Sequence, residues 1–526
     1  MIGPRAALVL TVVAAVAGAP RLSGWLYLYQ LEEYLPRRLL RTVDRRWRAR
    51  PAQAALLPAV GVVAAGVALG GSALATELAV LAVIVAQLVT WRSPARRGEL
   101  RWTARARRLA AVAGLLAVGL LWLGIRAGSL GAVVVGLADP VVVLALVVAT
   151  AILAPAEARR RRGFMAAAAA RVEAVRPVVV GITGSYGKTS TKGYLAALLD
   201  PGDGSVFVTP ASYNTTLGVC RAINEGLTPQ HRFAIVEMGA YRPGEIAEIC
   251  RFTGPRHGIV TAVGIMHLER FGSRAAIAAA KAELFDALPS EGVAVMPAAV
   301  NERATLLRAC RAATILVGSP EGAWWAESVE VDAEGTRFTL RGPRRVRQAV
   351  RCRLFGRHAL TNLLCAIAVA HRCGVSPQQL RVRAARLRPA PHRLEVSTVG
   401  GITIVDDAYN ANPDGAADAL EVLGRLPGER RVLVTPGFIE LGSEEPRWME
   451  EFGRRAAEVC SHVILVGPRH TAPLRAGLEA AGFGSERITV VASLAAAQSV
   501  LPAVAGPGSV VLFENDLPDQ YAEGGA

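Results

Sequence analysis

A strand, a glycine-containing loop and the start of a helix follow one another in the stretch VVVGITGSYGKTSTKGY, residues 178–194. The β-branched run ends before a loop that contains Gly184 and Gly187, and a helical pattern begins at Lys188. Glycines let a backbone close around phosphate oxygens, and the positive end of a helix dipole attracts an anion. The stretch therefore predicts a nucleoside triphosphate site, with Lys188 as a mobile cation and the Thr189 hydroxyl as a Mg²⁺ ligand.

The spacing of this loop differs from the usual phosphate loop. That motif would place a glycine at position 182, where this chain has Ile182, so the match is to the shorter form T-G-x-x-G-K-T-S. An ordinary glycine-rich turn between a strand and a helix is the alternative interpretation.

Positive charge is concentrated in residues 1–162, which contain 21 arginines, no lysine and 7 acidic residues. That segment carries a net charge of +14, out of +16 for the whole chain of 526 residues. The near-neutral remainder argues against a nucleic-acid-binding surface, so no nucleic-acid partner is expected. A hydrophobic fraction of 52% is high for a wholly soluble protein.

Apolar runs in the same segment approach the ~20 residues that cross a bilayer. They lie at 6–20, 54–71, 74–91, 109–125 and 131–154. Arginines cluster between the first and second runs, between the third and fourth, and after the fifth, whereas the other two loops carry only Arg126. The positive-inside rule then predicts an external N-terminus, five crossings and a cytoplasmic chain after Arg162. We therefore expect a multi-pass plasma-membrane protein, with a transmembrane domain of about five helices over 1–162.

Short apolar runs alternate with helical stretches after Pro177, which predicts parallel sheets covered by helices on both faces. One series of strands is expected near 178–183, 233–238, 257–264, 292–297 and 314–318. A second is expected near 402–406, 431–435, 462–467, 488–492 and 509–513. The fold class is thus an α-helical transmembrane domain followed by two α/β domains. All seven cysteines lie in this half and are expected to be reduced and mostly buried.

Three polar residues stand out beyond the loop. Glu237 closes one predicted strand and His267 follows the next, at the ends where parallel sheets place ligands, and together they could complete a Mg²⁺ site. Lys281 lies among alanines on a predicted helix, with Leu284 and Phe285 one turn on, so it lacks the usual acidic partner. Ordinary strand-end polar residues and a solvated lysine are the alternatives.

Eight motifs in order resemble the Mur ligases, most closely the branch that adds D-alanyl-D-alanine during peptidoglycan assembly. They are GITGSYGKTSTK from 181, SYNTTLGV at 212–219, EMGAYRPGEIAEI at 237–249, HLERFGS at 267–273, AKAEL at 280–284, GRHALTN at 356–362, PHRLE at 391–395 and DDAYNANPDG at 406–415. The resemblance implies a P-loop central ATP-binding domain over 163–390 and a Rossmann-like C-terminal domain over 391–526. It also implies ATP-driven amide bond formation through an acyl phosphate, with release of ADP.

The resemblance also implies roles for individual residues. Catalytic roles fall to Lys188, Lys281 and His267. Two Mg²⁺ ions would be held by Thr189, Glu237, His267 and a carbamylated Lys281. ATP would contact Thr183, Gly184, Ser185, Gly187, Lys188, Thr189, Ser190, Asn362, Arg393 and Asp407.

The chain departs from the family pattern at three places, so the resemblance implies the activation chemistry and not the identity of the substrates. The membrane segment replaces the family's UDP-sugar domain, Gly437 stands where the family has an acid, and LFENDLPDQY at 512–521 replaces the K-G-S segment. The expected partners are the membrane, a small-molecule or lipid-linked acid, and an amino acid or dipeptide. Two alternatives remain: a polyglutamate-type or other Mur-like ligase, and a non-catalytic, nucleotide-gated membrane component.

Overall fold

The computed structural model describes residues 2–49, 51–68, 72–90, 100–128, 130–210, 213–265, 268–409, 411–439 and 441–515. The chain divides into two compact units, one over residues 1–160 and the other over residues 161–525.

The first unit is helical. Its helices are α1 (Pro4–Leu31), α2 (Pro36–Ala49), α3 (Pro51–Ala68), α4 (Ala73–Thr90), α5 (Ala104–Arg126), α6 (Leu130–Gly136) and α7 (Ala138–Val175), the last of which continues into the second unit. Among the described residues, α1, α5 and α7 are long and apolar enough to cross a membrane, whereas the apolar stretches in α3 and α4 are shorter. Within the described residues each predicted apolar run is largely helical, and the count of five crossings stays a prediction.

The fifth apolar run, treated above as one crossing, is divided between α6 and α7 at Leu137, just before Asp139 and Pro140. Polar contacts accompany this break. The Gln87 amide donates to the carbonyl oxygen of Val135 (2.9 Å), and the Trp25 indole donates to Asp139 (2.9 Å). Proline has no backbone N–H, so the helical hydrogen-bond pattern is interrupted near Pro140. The Gln87 side chain supplies a donor to the Val135 carbonyl close to this interruption.

The second unit begins with a six-stranded parallel sheet in the order β2-β3-β1-β4-β5-β6. Its strands are β1 (Val178–Thr183), β2 (Val206–Val208), β3 (Phe233–Glu237), β4 (His257–Val260), β5 (Val293–Pro297) and β6 (Ala313–Val317). The surrounding helices are α8 (Lys188–Leu199), α9 (Thr216–Gly226), α10 (Glu245–Thr253), α11 (Leu268–Phe271), α12 (Arg274–Asp286) and α13 (Arg303–Leu307). The predicted strands are confirmed, although β4 ends four residues early and the short edge strand β2 was not predicted.

A three-stranded antiparallel sheet follows, which the sequence analysis did not predict. It consists of β7 (Trp325–Asp332), β8 (Gly335–Gly342) and β9 (Val346–Cys352), and α14 (Arg357–Arg372) and α15 (Pro377–Ala384) come next. Much of β7 and β9 is exposed and charged, so the apolar alternation that identifies a strand is missing there.

The last sheet has the order β10-β11-β15-β12-β13-β14. Its strands are β10 (Glu395–Val399), β11 (Ile402–Asp407), β12 (Arg430–Thr435), β13 (His462–Val466), β14 (Ile488–Val491) and β15 (Ser509–Glu514), joined by α16 (Pro413–Arg425), α17 (Glu445–Val459), α18 (Ala472–Ala480) and α19 (Leu494–Val504). The five predicted strands are confirmed and parallel. The sheet is not wholly parallel, however, because β10 adds an antiparallel edge strand.

The last turns of α7, from Arg161 on, belong to the second unit and pack within it. Ala168 is fully buried in the core, Arg161 forms an ion pair with Glu248, and Asn224 donates to the carbonyl oxygen of Phe164 (3.2 Å). The alanine-rich stretch from Phe164 to Val175 is therefore the end of α7. Of the seven cysteines, five are buried and two are half-buried.

Candidate nucleotide and ligation site

The loop between β1 and α8 has the backbone of a phosphate-binding turn. Gly184 and Gly187 have φ values of +153° and +80°, which side-chain-bearing residues rarely adopt. A Cβ on Gly184 would lie 1.9 Å from the Thr261 hydroxyl, and one on Gly187 would lie 2.6 Å from the Asn362 amide oxygen. Both glycines are thus required by conformation and by space, and Asn362 lies against the loop.

Neighbouring residues hold the loop in place. The Thr183 hydroxyl donates to the carbonyl oxygen of Met238 (2.8 Å), and the backbone N–H of Ser185 donates to the carbonyl oxygen of Ala262 (2.9 Å). The Ser185 hydroxyl accepts from the N–H of Gly264 (2.9 Å). These contacts connect the ends of three neighbouring strands, so the loop is preorganised by the sheet.

The N-terminus of α8 opens onto this loop. First-turn N–H groups of a helix have no acceptor within the helix, and among the described residues no side chain caps α8 at Gly187. The Lys188 ammonium donates to the carbonyl oxygens of Gly184 (2.7 Å) and Ser185 (3.3 Å), so it lies over the loop. Burial lowers the pKa of Lys188 to about 8, although Glu237 acts in the opposite direction. An anion at this position would meet backbone donors and a cation together.

Glu237 is the centre of a buried polar cluster at the end of β3. Its carboxylate accepts from the Thr189 hydroxyl (3.1 Å) and the Asn214 amide (3.2 Å), and it pairs with the Lys192 ammonium at 2.8 Å. Burial alone would raise the pKa of Glu237, but Lys192 and Lys188 outweigh it, and the net shift is downward. A carboxylate beside a hydroxyl and a phosphate loop is a donor set that suits Mg²⁺.

Lys281 is buried on α12, where only 4% of it is exposed. Burial and, to a smaller extent, the charge of Lys188 together lower its pKa to about 7, while Glu283 acts in the opposite direction. The amine is therefore substantially neutral near physiological pH. A lysine of this kind is chemically unusual, because an exposed ammonium would remain charged.

The whole chain contains three lysines, and all three belong to this region; every other basic side chain apart from histidine is arginine. Lys188 and Lys192 both act on Glu237, and Lys188 also acts on Lys281. Lysine differs from arginine in being able to lose its proton when buried. The three lysines thus lie around the phosphate loop and Glu237, where a compact cation or one that can lose its proton is useful.

Residues of the C-terminal domain form a second group near the phosphate loop. The Tyr186 hydroxyl donates to Asp414 (2.7 Å) at the start of α16. The Arg393 guanidinium lies over the Tyr409 ring, 4.4 Å from its centroid, and its charge acts on both Lys188 and Asp407. Arg393 is therefore near Lys188 of the phosphate loop, and Asp407 is near Arg393.

Of the predicted site residues, His267 lies outside the described residues, and Ser190 is buried at the start of α8. The sequence analysis missed Lys192, Asn214 and Tyr186. Lys192 is one turn after Lys188 on the same helix face, so the spacing of four residues could have indicated that both lysines lie near the same site. Asn214 and Tyr186 lie within quoted motifs but carry no local sign of their contacts.

A P-loop strand and helix, a buried acid and two α/β sheets are typical of a nucleotide-using enzyme. Comparison with known families is consistent with this class. The Mur ligase middle domain matches residues 182–370, and the domain described as "Mur ligase, glutamate ligase domain" matches residues 392–514.

Among characterised proteins, UDP-N-acetylmuramoyl-tripeptide–D-alanyl-D-alanine ligase of Mycobacterium tuberculosis is 37% identical over 377 residues, covering 66% of this chain and 72% of the relative. The enzyme of the same name from Escherichia coli is 34% identical over 294 residues, covering 55% and 64%. The chain therefore belongs to the Mur ligase family, whose enzymes are ATP-dependent, ADP-forming acid–amino-acid ligases.

Solved structures support the same family assignment. MurF from Acinetobacter baumannii superposes with a TM-score of 0.61 at 26% identity, covering 68% of this chain and 77% of that one. MurF ligase from Thermotoga maritima in complex with ADP gives a TM-score of 0.59 at 26% identity, covering 68% and 80%. The two α/β domains thus have a MurF-like fold.

Proposed function

We propose that this chain is a membrane-anchored ligase that uses ATP and Mg²⁺ to join a carboxylic acid to an amine. The proposed domains are a transmembrane domain over 1–162, a central ATP-binding domain over 163–390 and a C-terminal domain over 391–526. The observation that carries the proposal is the convergence of the phosphate loop, the Glu237 cluster and Lys281 on one region of the central domain.

The donor set fits Mg²⁺. Thr189 and Glu237 already lie in contact, and a carbamylated Lys281 would add carboxylate-like oxygens; His267 is the fourth proposed ligand. We propose two ions, which when bound would neutralise the charge of the phosphates and of the attacking acid. Lys192 pairs with Glu237 and keeps this carboxylate ionised and oriented.

The proposed reaction has two steps. A carboxylate oxygen of the acid attacks the γ-phosphorus of ATP, the bond to the β-phosphate oxygen breaks, and ADP leaves. The neutral amine nitrogen then attacks the acyl carbon, the C–N bond forms, phosphate leaves with the C–O bonding electrons, and the nitrogen loses one proton to solvent. Lys188 and the first-turn N–H groups of α8 hold the phosphates, while Asn362, Arg393 and Asp407 hold the rest of the nucleotide.

The substrates are proposed by class. The named relatives act on a UDP-N-acetylmuramoyl-tripeptide and D-alanyl-D-alanine. For this chain we propose a small-molecule or lipid-linked acid and an amino acid or dipeptide. Neither matched family domain extends into residues 1–160, so the helical unit takes the place of a sugar-nucleotide domain.

Membrane anchoring is supported by the surface of the helical unit. Large apolar side chains point outward on its helices, including Val89 and Leu115, which are 78% and 75% exposed. Exposed apolar surface of this extent is unfavourable in water and suits lipid. With the arginine clusters, it favours a multi-pass plasma-membrane protein whose catalytic domains are cytoplasmic.

The test is ADP release by purified full-length protein across a matrix of candidate acids and amines. Release that requires both an acid and an amine, and that Lys188→Ala abolishes, is the expected result. ATP hydrolysis that no acid or amine stimulates would favour a nucleotide-gated component and overturn the ligase proposal.

A further inference from the structure

The helix α2 combines a strongly basic side with an apolar side. It contains six arginines and one aspartate, so it carries a net charge of +5 over 14 residues. Leu39 and Val43, one turn apart, are buried in the core of the helical unit. Leu40 and Trp47 lie on the adjoining strip of the helix and are 49% and 36% exposed. The helix therefore has a packed strip, an exposed apolar strip and a charged side.

A fixed turn sets the direction in which α2 leaves α1. Glu33 and Tyr34 both have φ values of +58°, which residues with a side chain rarely adopt. The Tyr34 hydroxyl accepts from the Gln30 amide (3.1 Å), and the Arg105 guanidinium lies over the Tyr34 ring, 4.5 Å from its centroid. Because these contacts come from α1 and α5, the turn is held by the helical unit itself.

The first turn of α5 lies at the same end of the helical unit. The Gln30 side chain donates to the carbonyl oxygen of Arg101 (3.0 Å) and accepts from its N–H (3.1 Å). The next residue, Trp102, is 54% exposed. Tryptophan is enriched at the boundary between lipid and water, at the level of the headgroups. Exposed tryptophans therefore accompany the arginines both on α2 and beside α5.

A row of three arginines forms the charged side of α2. Arg37, Arg41 and Arg45 are exposed and four residues apart, and within the described ranges they form no ion pair with an acid. Arg38 and Arg48 on the same helix do pair with acids. Like charges four residues apart destabilise a helix, so this row is favoured by an external anion. A surface of phosphate groups supplies negative charge along the whole row.

The two exposed sides of α2 indicate the boundary of a bilayer. Six arginines are strongly unfavourable in the hydrocarbon core, whereas Leu40 and Trp47 gain nothing from exposure to water. At the level of the headgroups, the apolar strip contacts acyl chains while the arginine row contacts phosphates. A nucleic acid would match the charge but would leave the apolar strip in water.

We propose that α2 lies in the plane of the cytoplasmic membrane surface and binds the phosphate groups of anionic phospholipids through Arg37, Arg41 and Arg45. This inference rests on the proposed membrane anchoring. An acid carried on a lipid phosphate would be attracted to the same surface, which would raise its concentration where the ligase is held.

The test measures which lipids stay with the protein. Full-length protein is reconstituted into nanodiscs that contain equal amounts of phosphatidylglycerol, which is anionic, and phosphatidylcholine, which has no net charge. It is then extracted in a mild detergent, and the retained lipids are quantified by mass spectrometry. We expect phosphatidylglycerol to be enriched about 5-fold or more, the preference that one arginine close to an anionic surface contributes.

The variant Arg37→Gln/Arg41→Gln/Arg45→Gln should lose most of this enrichment. All three side chains are exposed and lie outside the apolar core, so the variant is expected to fold and to enter the bilayer. Because no turnover is measured, the result does not depend on the ligase activity.

The control removes the same charge from the second unit. Arg381→Gln/Arg386→Gln/Arg388→Gln changes three exposed arginines and should keep the enrichment. Equal retention of the two lipids by the wild type, or the same enrichment in both triple variants, would overturn the proposal. A protein that does not enter the nanodisc would overturn the membrane anchoring as well, and gel filtration distinguishes that outcome from a loss of lipid preference.

Trp47 reports the position of the apolar strip. Its fluorescence, taken as the difference between the wild type and Trp47→Phe, should be lost in nanodiscs whose phospholipids carry brominated acyl chains, because the apolar side of an interfacial helix reaches the acyl boundary. Unquenched Trp47 in protein that has entered the bilayer would place α2 away from the membrane surface and contradict the proposal.

Discussion

Nζ of Lys192 lies 2.8 Å from a carboxylate oxygen of Glu237, and 6% and 3% of the two side chains are exposed. The pair is buried at the position proposed for Mg²⁺, so the lysine supplies the positive charge that a bound metal would otherwise bring. Removing one partner of a buried pair leaves an uncompensated charge.

We therefore expect Lys192→Met to destabilise the protein by about 3–5 kcal/mol. Added Mg²⁺ should raise the unfolding temperature of this variant more than that of the wild type, because the metal replaces the lost charge at Glu237. The double variant Lys192→Met/Glu237→Gln is the control, and it should be more stable than the single variant and respond less to Mg²⁺. Wild-type stability in the single variant would contradict a structural role for the pair.

Lys188 is expected to matter for turnover and not for folding. Its ammonium contacts two loop carbonyls and is not part of the apolar core. Lys188→Ala should lower ATP turnover by at least about 10²–10³-fold, as for the loss of a group that stabilises transition-state charge. Arg475→Ala, at an exposed position on α18, should leave turnover unchanged. Wild-type turnover in the Lys188 variant would contradict the assignment of the loop between β1 and α8 as the phosphate-binding loop.

Tyr186 connects the phosphate loop to the C-terminal sheet through Asp414. Tyr186→Phe should cost about 0.5–1.5 kcal/mol, the usual net value of one hydrogen bond. It should also make the boundary between the two domains easier to cleave in limited proteolysis. A double-mutant cycle with Asp414→Asn measures the coupling, and additive effects of the two substitutions would mean that the contact contributes nothing.

Whether a strand could be predicted from the sequence depends on how much of that strand is buried. Strands such as β1 and β15 are covered on both faces and appear as continuous apolar runs, so they could be identified. The edge strand β10 is largely exposed, and β2 has three residues, so neither produces such a run. The phosphate loop is local in sequence and was predicted, whereas Tyr186 and Asp414 are 228 positions apart and no local pattern connects them.

The register between Glu514 and Asp407 illustrates the same limit. The unusual LFENDLPDQY segment was apparent from the sequence, but the alignment of Glu514 with Asp407 depends on the strand order that inserts β15 between β11 and β12. A crossover of this kind is set by the packing of the whole domain.

Membrane topology can be tested at Gly163, just after the last arginine cluster. A cytoplasmic reporter fused there should be active, because the positive-inside rule places this cluster in the cytoplasm. A reporter that requires export should be inactive at the same position, and a fusion in the loop after Arg126 should give the opposite pattern. Activity of the exported reporter at Gly163 would reverse the proposed orientation.

Lys281 distinguishes a working ligase from a protein that only binds nucleotide. Carbamylation requires a neutral amine and dissolved CO₂, and burial lowers the pKa of Lys281 to about 7 from 10.5. Near pH 8 the amine is thus mostly neutral, whereas an unperturbed lysine would be almost wholly charged. We expect the carbamate to form increasingly as pH rises through 7, which carbon-13-labelled bicarbonate and NMR can follow. With three lysines in the chain, one carbamate signal can be assigned by substitution.

Lys281→Ala should lose the carbamate signal and ligation while retaining nucleotide binding, because Lys188 and the α8 N-terminus are unchanged. Formate or acetate should restore part of the rate by supplying the missing carboxylate oxygens near Glu237. Lys192→Arg serves as the control for the signal, since it removes a different buried lysine while keeping a positive charge beside Glu237, and it should leave the carbamate in place. An active wild-type enzyme without a carbamate in bicarbonate buffer, or full ligation by Lys281→Ala, would exclude this role, because the proposed metal site needs an anionic group on α12.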